Sequence, residues 1–231
     1  MKKKIVVISG AGISAESGIS TFRDAGGLWE GHDIMEVASP QGWQKNQSLV
    51  LDFYNKRRKQ ALAVLPNAAH KDLVKLEKKY EVHIITQNVD DLHERAGSKN
   101  VLHLHGQLFQ SRSSGNEQLV FPCTEDINLG DICEEGHQIR PNIVWFGEQV
   151  PNMALATPLV QKADFIIVVG TSLAVYPAAS MLDYANKNAQ IYVVDPNIPF
   201  IDKQPNTYMY EEKASTGIAK IVKLLLKDTE I

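Results

Sequence analysis

Short, unbroken apolar runs alternate with longer amphipathic stretches along the chain. Residues 5–8 read Ile-Val-Val-Ile, residues 82–85 Val-His-Ile-Ile, residues 165–169 Phe-Ile-Ile-Val-Val and residues 190–194 Gln-Ile-Tyr-Val-Val. Runs this short and this apolar predict strands buried on both faces, as in a parallel sheet. Residues 101–105 alternate instead, which puts His103 and His105 on one face of a strand. Residues 141–148 read as a further apolar strand with an aromatic end, and residues 208–210 as a short edge strand. Residues 48–65 predict an amphipathic helix stopped by Pro66. Val50, Phe53, Tyr54, Arg57 and Ala61 share one of its faces; Leu51, Tyr54, Arg58, Leu62 and Leu65 share an adjoining one. The pattern lets one arginine turn inward beside Tyr54 and does not decide which; the plain alternative is a solvated basic turn. Further helices are predicted from Ser39-Pro40, over 67–80, just before Ala96-Gly97, over 178–186 and over 215–226. Residues 107–140 show no clear period and are the best candidate for an inserted lobe.

Composition narrows the class. The 231 residues are 44% hydrophobic and 22% charged, as in an ordinary globular chain. A net charge of −3 gives no reason to expect nucleic acid or a membrane surface as partner. The lysines at 2–4 precede too few apolar residues for a secretory leader, and no apolar run could span a bilayer. Two cysteines cannot build a disulfide framework, so a reducing, cytoplasmic setting is expected.

Candidate chemistry gathers at the predicted strand ends. Gly10, Gly12 and Ala15 follow strand 5–8 with the spacing G-x-G-x-x-A, which aims backbone N–H groups and a helix end at a pyrophosphate. A tight turn without a ligand would use the same glycines. Phe22-Arg23-Asp24 and Ala25-Gly26-Gly27 come next, and an arginine in such a loop can close over an anion. The acidic ribose ligand that a dehydrogenase places about twenty residues on is missing. Thr86-Gln87-Asn88-Val89-Asp90-Asp91-Leu92-His93 follows strand 82–85 with more polar groups than a helix cap requires. His105, at a strand end, suits a general base with an ordinary pKa near neutral. A metal site using Asp90, His93, His103 and His105 is the competing reading. Asp195-Pro196-Asn197, after strand 190–194, suits ribose hydroxyls or is simply an Asp-Pro turn. Cys123, Cys133 and His137 lack paired-ligand spacing, so no metal is predicted there.

Taken together, these stretches resemble the sirtuins, the NAD-dependent protein-lysine deacylases. The resemblance rests on Gly10-Ala-Gly-Ile-Ser14-x-x-Ser17-Gly-Ile19, Phe22-Arg23, Thr86-Gln-Asn-Val-Asp90-x-Leu-His93, His105-Gly106, Arg140-Pro141, Val144-Trp-Phe-Gly-Glu148 and Gly170-Thr-Ser172, in family order over nearly the whole chain. It implies an α/β fold: a Rossmann-like large lobe at about 1–35, 78–106 and 143–231, and a smaller inserted lobe at about 36–77 and 107–142. The small lobe would combine a helical part with a degenerate zinc ribbon.

The resemblance also implies roles. NAD, consumed as co-substrate, would lie along Gly10, Ala11, Gly12, Ser14, Ser17, Phe22, Arg23 and Trp29. Gln87, Asn88 and Asp90 would sit near the nicotinamide ribose. Gly170, Thr171 and Ser172 would touch the adenosine half, Asp195, Pro196 and Asn197 its ribose, and Ala214 the adenine. Asn88 and Asp90 would favour the positive charge that develops as nicotinamide leaves, and His105 would take a ribose proton. The substrate strand would pair along Val144, Trp145, Phe146 and Gly147, up to Glu148.

Tyr54-x-x-Arg57 matches the pair that marks the desuccinylase and demalonylase branch, where a phenol and a guanidinium can bind a carboxylate. The expected activity is removal of succinyl, malonyl and acetyl groups from protein lysines by a cytoplasmic monomer, giving O-acyl-ADP-ribose. Two departures stand out. Ser113, Asn116 and Gly136 fall where many relatives carry zinc-binding cysteines, so zinc is not expected. Asp195 stands where relatives often have asparagine. A mono-ADP-ribosyltransferase and a non-catalytic NAD-binding module are the alternatives.

Overall fold

The computed structural model describes residues 2–20, 28–29, 31–173, 178–199 and 205–227. Its elements run in chain order: β1 (Lys4–Ser9), α1 (Ala11–Ala15), the two-residue strands β2 (Leu28–Trp29) and β3 (His32–Asp33), α2 (Ile34–Val37), α3 (Pro40–Lys45), α4 (Gln47–Ala63) and α5 (Ala68–Lys75). Next come β4 (Glu81–Thr86), α6 (Leu92–Ala96), β5 (Val101–His103), β6 (Gly106–Ser113), β7 (Val120–Pro122) and β8 (Ile139–Ile143). The chain closes with α7 (Met153–Gln161), β9 (Phe165–Val169), β10 (Gln190–Val194), β11 (Thr207–Tyr210) and α8 (Ala214–Lys227).

Six strands form one sheet in the order β11-β10-β9-β1-β4-β5, and every neighbouring pair is parallel. This is the doubly wound Rossmann order, with its switch point between β1 and β9. The apolar runs make it so. Ile5 and Val7 face a layer that includes Leu73 of α5 and Ile218 and Ile221 of α8. Val6 and Ile8, one residue out of step, face Ala156 and Val160 of α7. A strand sandwiched between helices needs apolar residues on both faces, and so shows no alternation.

The small lobe is a second structure. Strands β7, β6 and β8 make a three-stranded antiparallel sheet. It packs on α4 through Leu108, Ile127, Ile143 and Trp145, against Val50, Phe53 and Tyr54. Buried polar bonds join the two parts. Asn55 donates to the Ile127 carbonyl and accepts from the Ile127 amide, both at 2.9 Å. Arg58, 1% exposed, donates to the carbonyls of Leu108 (2.9 Å) and Glu125 (3.2 Å) and to Asn55 Oδ1 (2.8 Å).

Several expectations need correction. Strand β8 ends at Ile143, and residues 144–148 turn rather than continue, with Gly147 at φ 91°. The amide of Phe146 instead donates to the Ala38 carbonyl of the helical insertion. The helix expected over 178–186 is a 3-10 helix at Ala178–Tyr184. Helix α7 was not legible, because Pro158 lies inside it and proline normally ends a helical pattern. Packing of Ala156 and Val160 against the sheet holds the helix together. Helix α5 falls within the 36–77 stretch assigned to the small lobe, yet Ala69 and Leu73 pack into the large-lobe core. Strand β6 lies where no period was visible. Its register with β8 shifts between Gln107 and Ser111, and such an irregularity breaks the alternation. Among the described residues no helix is long and apolar enough to cross a membrane.

Candidate active site

The site lies at the C-terminal ends of β1, β4, β5, β9 and β10. Its floor is made by backbone packing across the switch point. The Gly10 amide donates to the Val169 carbonyl at 3.1 Å, and the Gly12 amide to the Gly170 carbonyl at 2.8 Å. A Cβ on Gly12 would come within 2.7 Å of the Gly170 backbone. Gly170 itself has φ +63°, and a Cβ there would meet the Ile13 amide nitrogen at 2.2 Å. The glycine spacing therefore lets α1 settle onto the β9 turn, and two of its amides are spent on that contact.

Above this floor, Ser14, Asn88 and Asp90 form a buried cluster. Ser14 Oγ donates to Asp90 Oδ2 at 3.0 Å and accepts from Asn88 Nδ2 at 3.1 Å. Asp90 Oδ1 also accepts from the Leu92 amide, and the Asn88 amide donates to Thr86 Oγ1. Burial pushes the Asp90 carboxyl up from the usual range, opposed by the Leu92 amide, Ser14 and the charge on His103.

Two histidines clamp the same loop. His105 Nδ1 lies 3.1 Å from the Gln87 carbonyl, and His103 Nδ1 lies 2.9 Å from the Asn88 carbonyl. A carbonyl can only accept, so each Nδ1 carries a hydrogen. The surroundings then separate the pair. Burial holds His105 below the usual imidazole value despite its bond to Gln87, which leaves Nε2 with a lone pair suited to a base. Burial also works against charge on His103, but the bond and charge of Glu94, with help from Asn88 and Asp90, raise it overall. Glu94 falls outside the motifs, and Thr86 begins one without a role of its own. Their signal is only their nearness to the Asp90 loop.

The remaining cofactor candidates spread around the rim. Gln87 Nε2 donates to Thr171 Oγ1 at 2.9 Å, bridging the ends of β4 and β9. Ser172 is half-buried, and Leu173 beyond it takes φ 50°, a left-handed value unusual for leucine. Asp195 is buried at the end of β10, where Oδ1 accepts from the Asn197 amide at 2.8 Å, while Pro196 and Asn197 are exposed. Ala214 is buried at the start of α8, and Ala11 is half-buried. Ser17 Oγ accepts from Asn67 Nδ2 at 3.0 Å, which ties the end of α1 to α5. Phe22 and Arg23 lie outside the described residues, as does the loop expected to close the site.

On the other side of the cluster, α4 supplies Tyr54 and Arg57. Arg57 stacks over the rings of Trp29, at 4.3 Å, and Phe53, at 5.7 Å. It shares a small cavity with Asp90, also lined by Ile19, Gln60, Ala61, Val89 and Leu108. Tyr54 is fully buried, and burial pushes its phenol far above the usual value, so it stays protonated. Its oxygen accepts from Trp145 Nε1 at 3.1 Å.

Trp145 is buried, whereas Phe146 and Gly147 are exposed and Val144 is half-exposed. Their segment is pinned by Glu148, which accepts from the Trp145 amide at 2.8 Å and from Arg140 at 2.7 Å, with Arg112 at 3.3 Å. Burial would raise the Glu148 carboxyl, but Arg140, the Trp145 amide and Arg112 pull it below the usual range. The Arg140 guanidinium also lies over the Trp145 ring, 3.2 Å from its centroid.

No group of three or more His, Cys, Asp or Glu side chains that could hold a metal occurs among the described residues. Where a ribbon metal would sit, Ser113 Oγ accepts from the amides of Gly115 and Asn116 and from Cys133 Sγ at 3.3 Å. His93 is not part of a metal set either, since its Nε2 lies 2.9 Å from Ser9 Oγ.

Fold and site together define a dinucleotide-type α/β protein with a half-buried histidine held on the loop of a buried Asn–Asp pair. The chain belongs to the Sir2 family, whose match spans residues 10–177. An NAD-dependent protein deacylase of Helicobacter pylori (strain J99) is 56% identical over 225 residues, 97% of this chain and 96% of the relative. Another, from Bacteroides thetaiotaomicron, is 46% identical over 230 residues, 97% of this chain and 98% of the relative. A Sir2 homologue–NAD complex is similar in structure, with a TM-score of 0.82 at 36% identity over 98% of this chain and 91% of that one. A Sir2 homologue mutant in complex with ADP-ribose gives a TM-score of 0.89 at 37% identity, covering all of this chain and 94% of that one.

Proposed function

We propose that this chain, an NAD-dependent protein deacylase, removes succinyl and malonyl groups as well as acetyl from protein lysines, releasing nicotinamide and O-acyl-ADP-ribose. The observation that carries the acyl preference is the cavity shared by Arg57 and Asp90. The cavity measures only about 20 Å³, so it does not seat an acyl chain as it stands; a chain lodged beside Asp90 would turn its terminal group towards the guanidinium. Neutral acetyl cannot use that charge, whereas a terminal carboxylate can.

The donor set suits a hydroxyl-rich dinucleotide. Gln87 and Thr171 bridge two strand ends, Asp195 offers an acceptor at a third, and the glycine floor lets a ligand approach the backbone. Asp90 and Asn88 are oriented by Ser14 before any ligand arrives, so little reorganisation accompanies the development of positive charge on the ribose. His105 Nε2 takes the proton of a ribose hydroxyl, while Nδ1 keeps the ring fixed on the Gln87 carbonyl. A substrate main chain would run along the exposed Phe146 and Gly147, which here form a turn and not a strand.

A panel of matched peptides carrying acetyl, malonyl, succinyl and glutaryl lysine, assayed with and without NAD, tests the reading. The expected result is NAD-dependent loss of the acidic acyl groups, with O-acyl-ADP-ribose in the mass spectrum. Acetyl removal with no succinyl removal overturns the preference. Gain of ADP-ribose on the peptide without acyl loss overturns the activity.

A further inference from the structure

The Asn88–Asp90 loop is held from behind by a pair that the proposed chemistry leaves unused. His103, at the end of β5, is 4% exposed. Its Nδ1 hydrogen goes to the Asn88 carbonyl at 2.9 Å, and its Nε2 lies 2.7 Å from Glu94 Oε1 on α6. A carboxylate facing Nε2 calls for a second ring hydrogen, so the donor and acceptor count makes His103 an imidazolium paired with Glu94. Asn152 Nδ2 donates to the His103 carbonyl at 2.7 Å and holds the strand end from the other side. The titratable groups facing the ring are Glu94 and His93 from α6 and Asp90 from the loop after β4. His93 is buried, and burial pulls its pKa well down, so it stays neutral.

We propose that the His103–Glu94 pair is a positioning unit for deacylation: it pins the Asn88 backbone and sets a fixed positive charge behind Asp90. This inference rests on the deacylase reading above but not on its acyl preference. The geometry separates two histidines of one strand end by a single neighbour. Both grip adjacent carbonyls of the same loop, Gln87 and Asn88. Of these two, it is His103 that faces a carboxylate, Glu94, so it keeps its charge while His105 stays a neutral base. Asp90 must be ionised to favour a cationic ribose. Burial raises its pKa, and the charge on His103 is one of the influences that oppose that rise.

Glu94→Gln keeps an acceptor for Nε2 but removes the charge that holds the second proton. Its side chain is 38% exposed, so the variant should fold. The experiment measures kcat/KM from about pH 5 to about pH 9 with NAD and an acetyl-lysine peptide, for wild type, Glu94→Gln and His103→Asn. In Glu94→Gln the acid limb is expected to move up by roughly one pH unit, with a loss that approaches about tenfold below the limb and shrinks towards about pH 8. His103→Asn should lose activity across the whole range, because both the charge and the aromatic clamp are gone. A uniform loss in Glu94→Gln with the limb unmoved would overturn the proposal, as would wild-type behaviour. If His103→Asn fails to fold, Glu94→Gln alone decides. A wild-type chain with no NAD-dependent turnover would overturn the deacylase reading, and this proposal with it.

Discussion

Arg57→Met and Arg58→Met separate two adjacent side chains that the helical pattern could not tell apart. Arg58 donates to two carbonyls and one side-chain amide oxygen that join α4 to the small-lobe sheet. Hydrogen bonds from a charged donor contribute about 1.5–3 kcal/mol each. Against their sum stands a burial penalty of several kcal/mol for the guanidinium. A net loss of about 3 kcal/mol on truncation is therefore expected, made mostly of the acceptors left without a donor. For a chain of this length that corresponds to a fall in Tm of roughly 6–12 °C. Arg57 makes two aromatic contacts, at 4.3 and 5.7 Å, whose loss costs about 1 kcal/mol. Its removal should instead lower kcat/KM for succinyl peptides by about tenfold to a hundredfold, with a much smaller effect on acetyl peptides. Thermal melting and the succinyl-to-acetyl ratio, measured on both variants, test the division. An Arg57 variant that melts as low as the Arg58 variant would refute it. So would an Arg58 variant that melts like wild type but shifts the ratio.

His105→Asn should lower deacylation by about 10²–10⁴-fold while calorimetry still detects NAD binding; lost binding with unchanged turnover of bound complex would contradict the base assignment. His70 is buried with its ring 4.9 Å from that of His93, and burial lowers its pKa to about 4. Unfolding raises that pKa back towards 6.5, so the unfolded chain binds the extra proton, and stability falls as pH drops from about 6.5 to about 4. The cost is about 1.4 kcal/mol per pH unit in that window, and a His70→Asn variant with an unaltered pH slope of stability would refute it. Metal analysis of the untagged protein is expected to find zinc far below one per chain. Ser113→Ala should lower Tm by about 2–8 °C through the loss of a hydroxyl that serves two amides and a thiol. Stoichiometric zinc would replace that account.

The apolar runs at 5–8, 165–169 and 190–194 determined the parallel sheet by themselves, because a strand covered on both faces cannot tolerate polar alternation. Punctuation was equally legible: Gly97 ends α6 at φ 107°, and Ser39 caps α3 by accepting from the Gly42 amide. The polar cluster from Gln87 to Asp90 marked a candidate site, since strand ends are where such folds place ligand contacts. Tertiary contacts decided the rest. Helix α7 and strand β6 are held by surfaces distant in sequence, which local periodicity does not record. Arg57 and Arg58 carry the same side chain one residue apart, and only the carbonyls of Leu108 and Glu125, about 50 and 67 residues away, give Arg58 its structural work. The alternation put His103 and His105 on one face, yet β5 ends at His103 and His105 lies in the bend beyond it; the charge on each depends on whether a helix brings a carboxylate to it. A sequence fixes which groups are available. Hydrogen bonding and burial, which depend on partners remote in the chain, decide their charge and therefore their role.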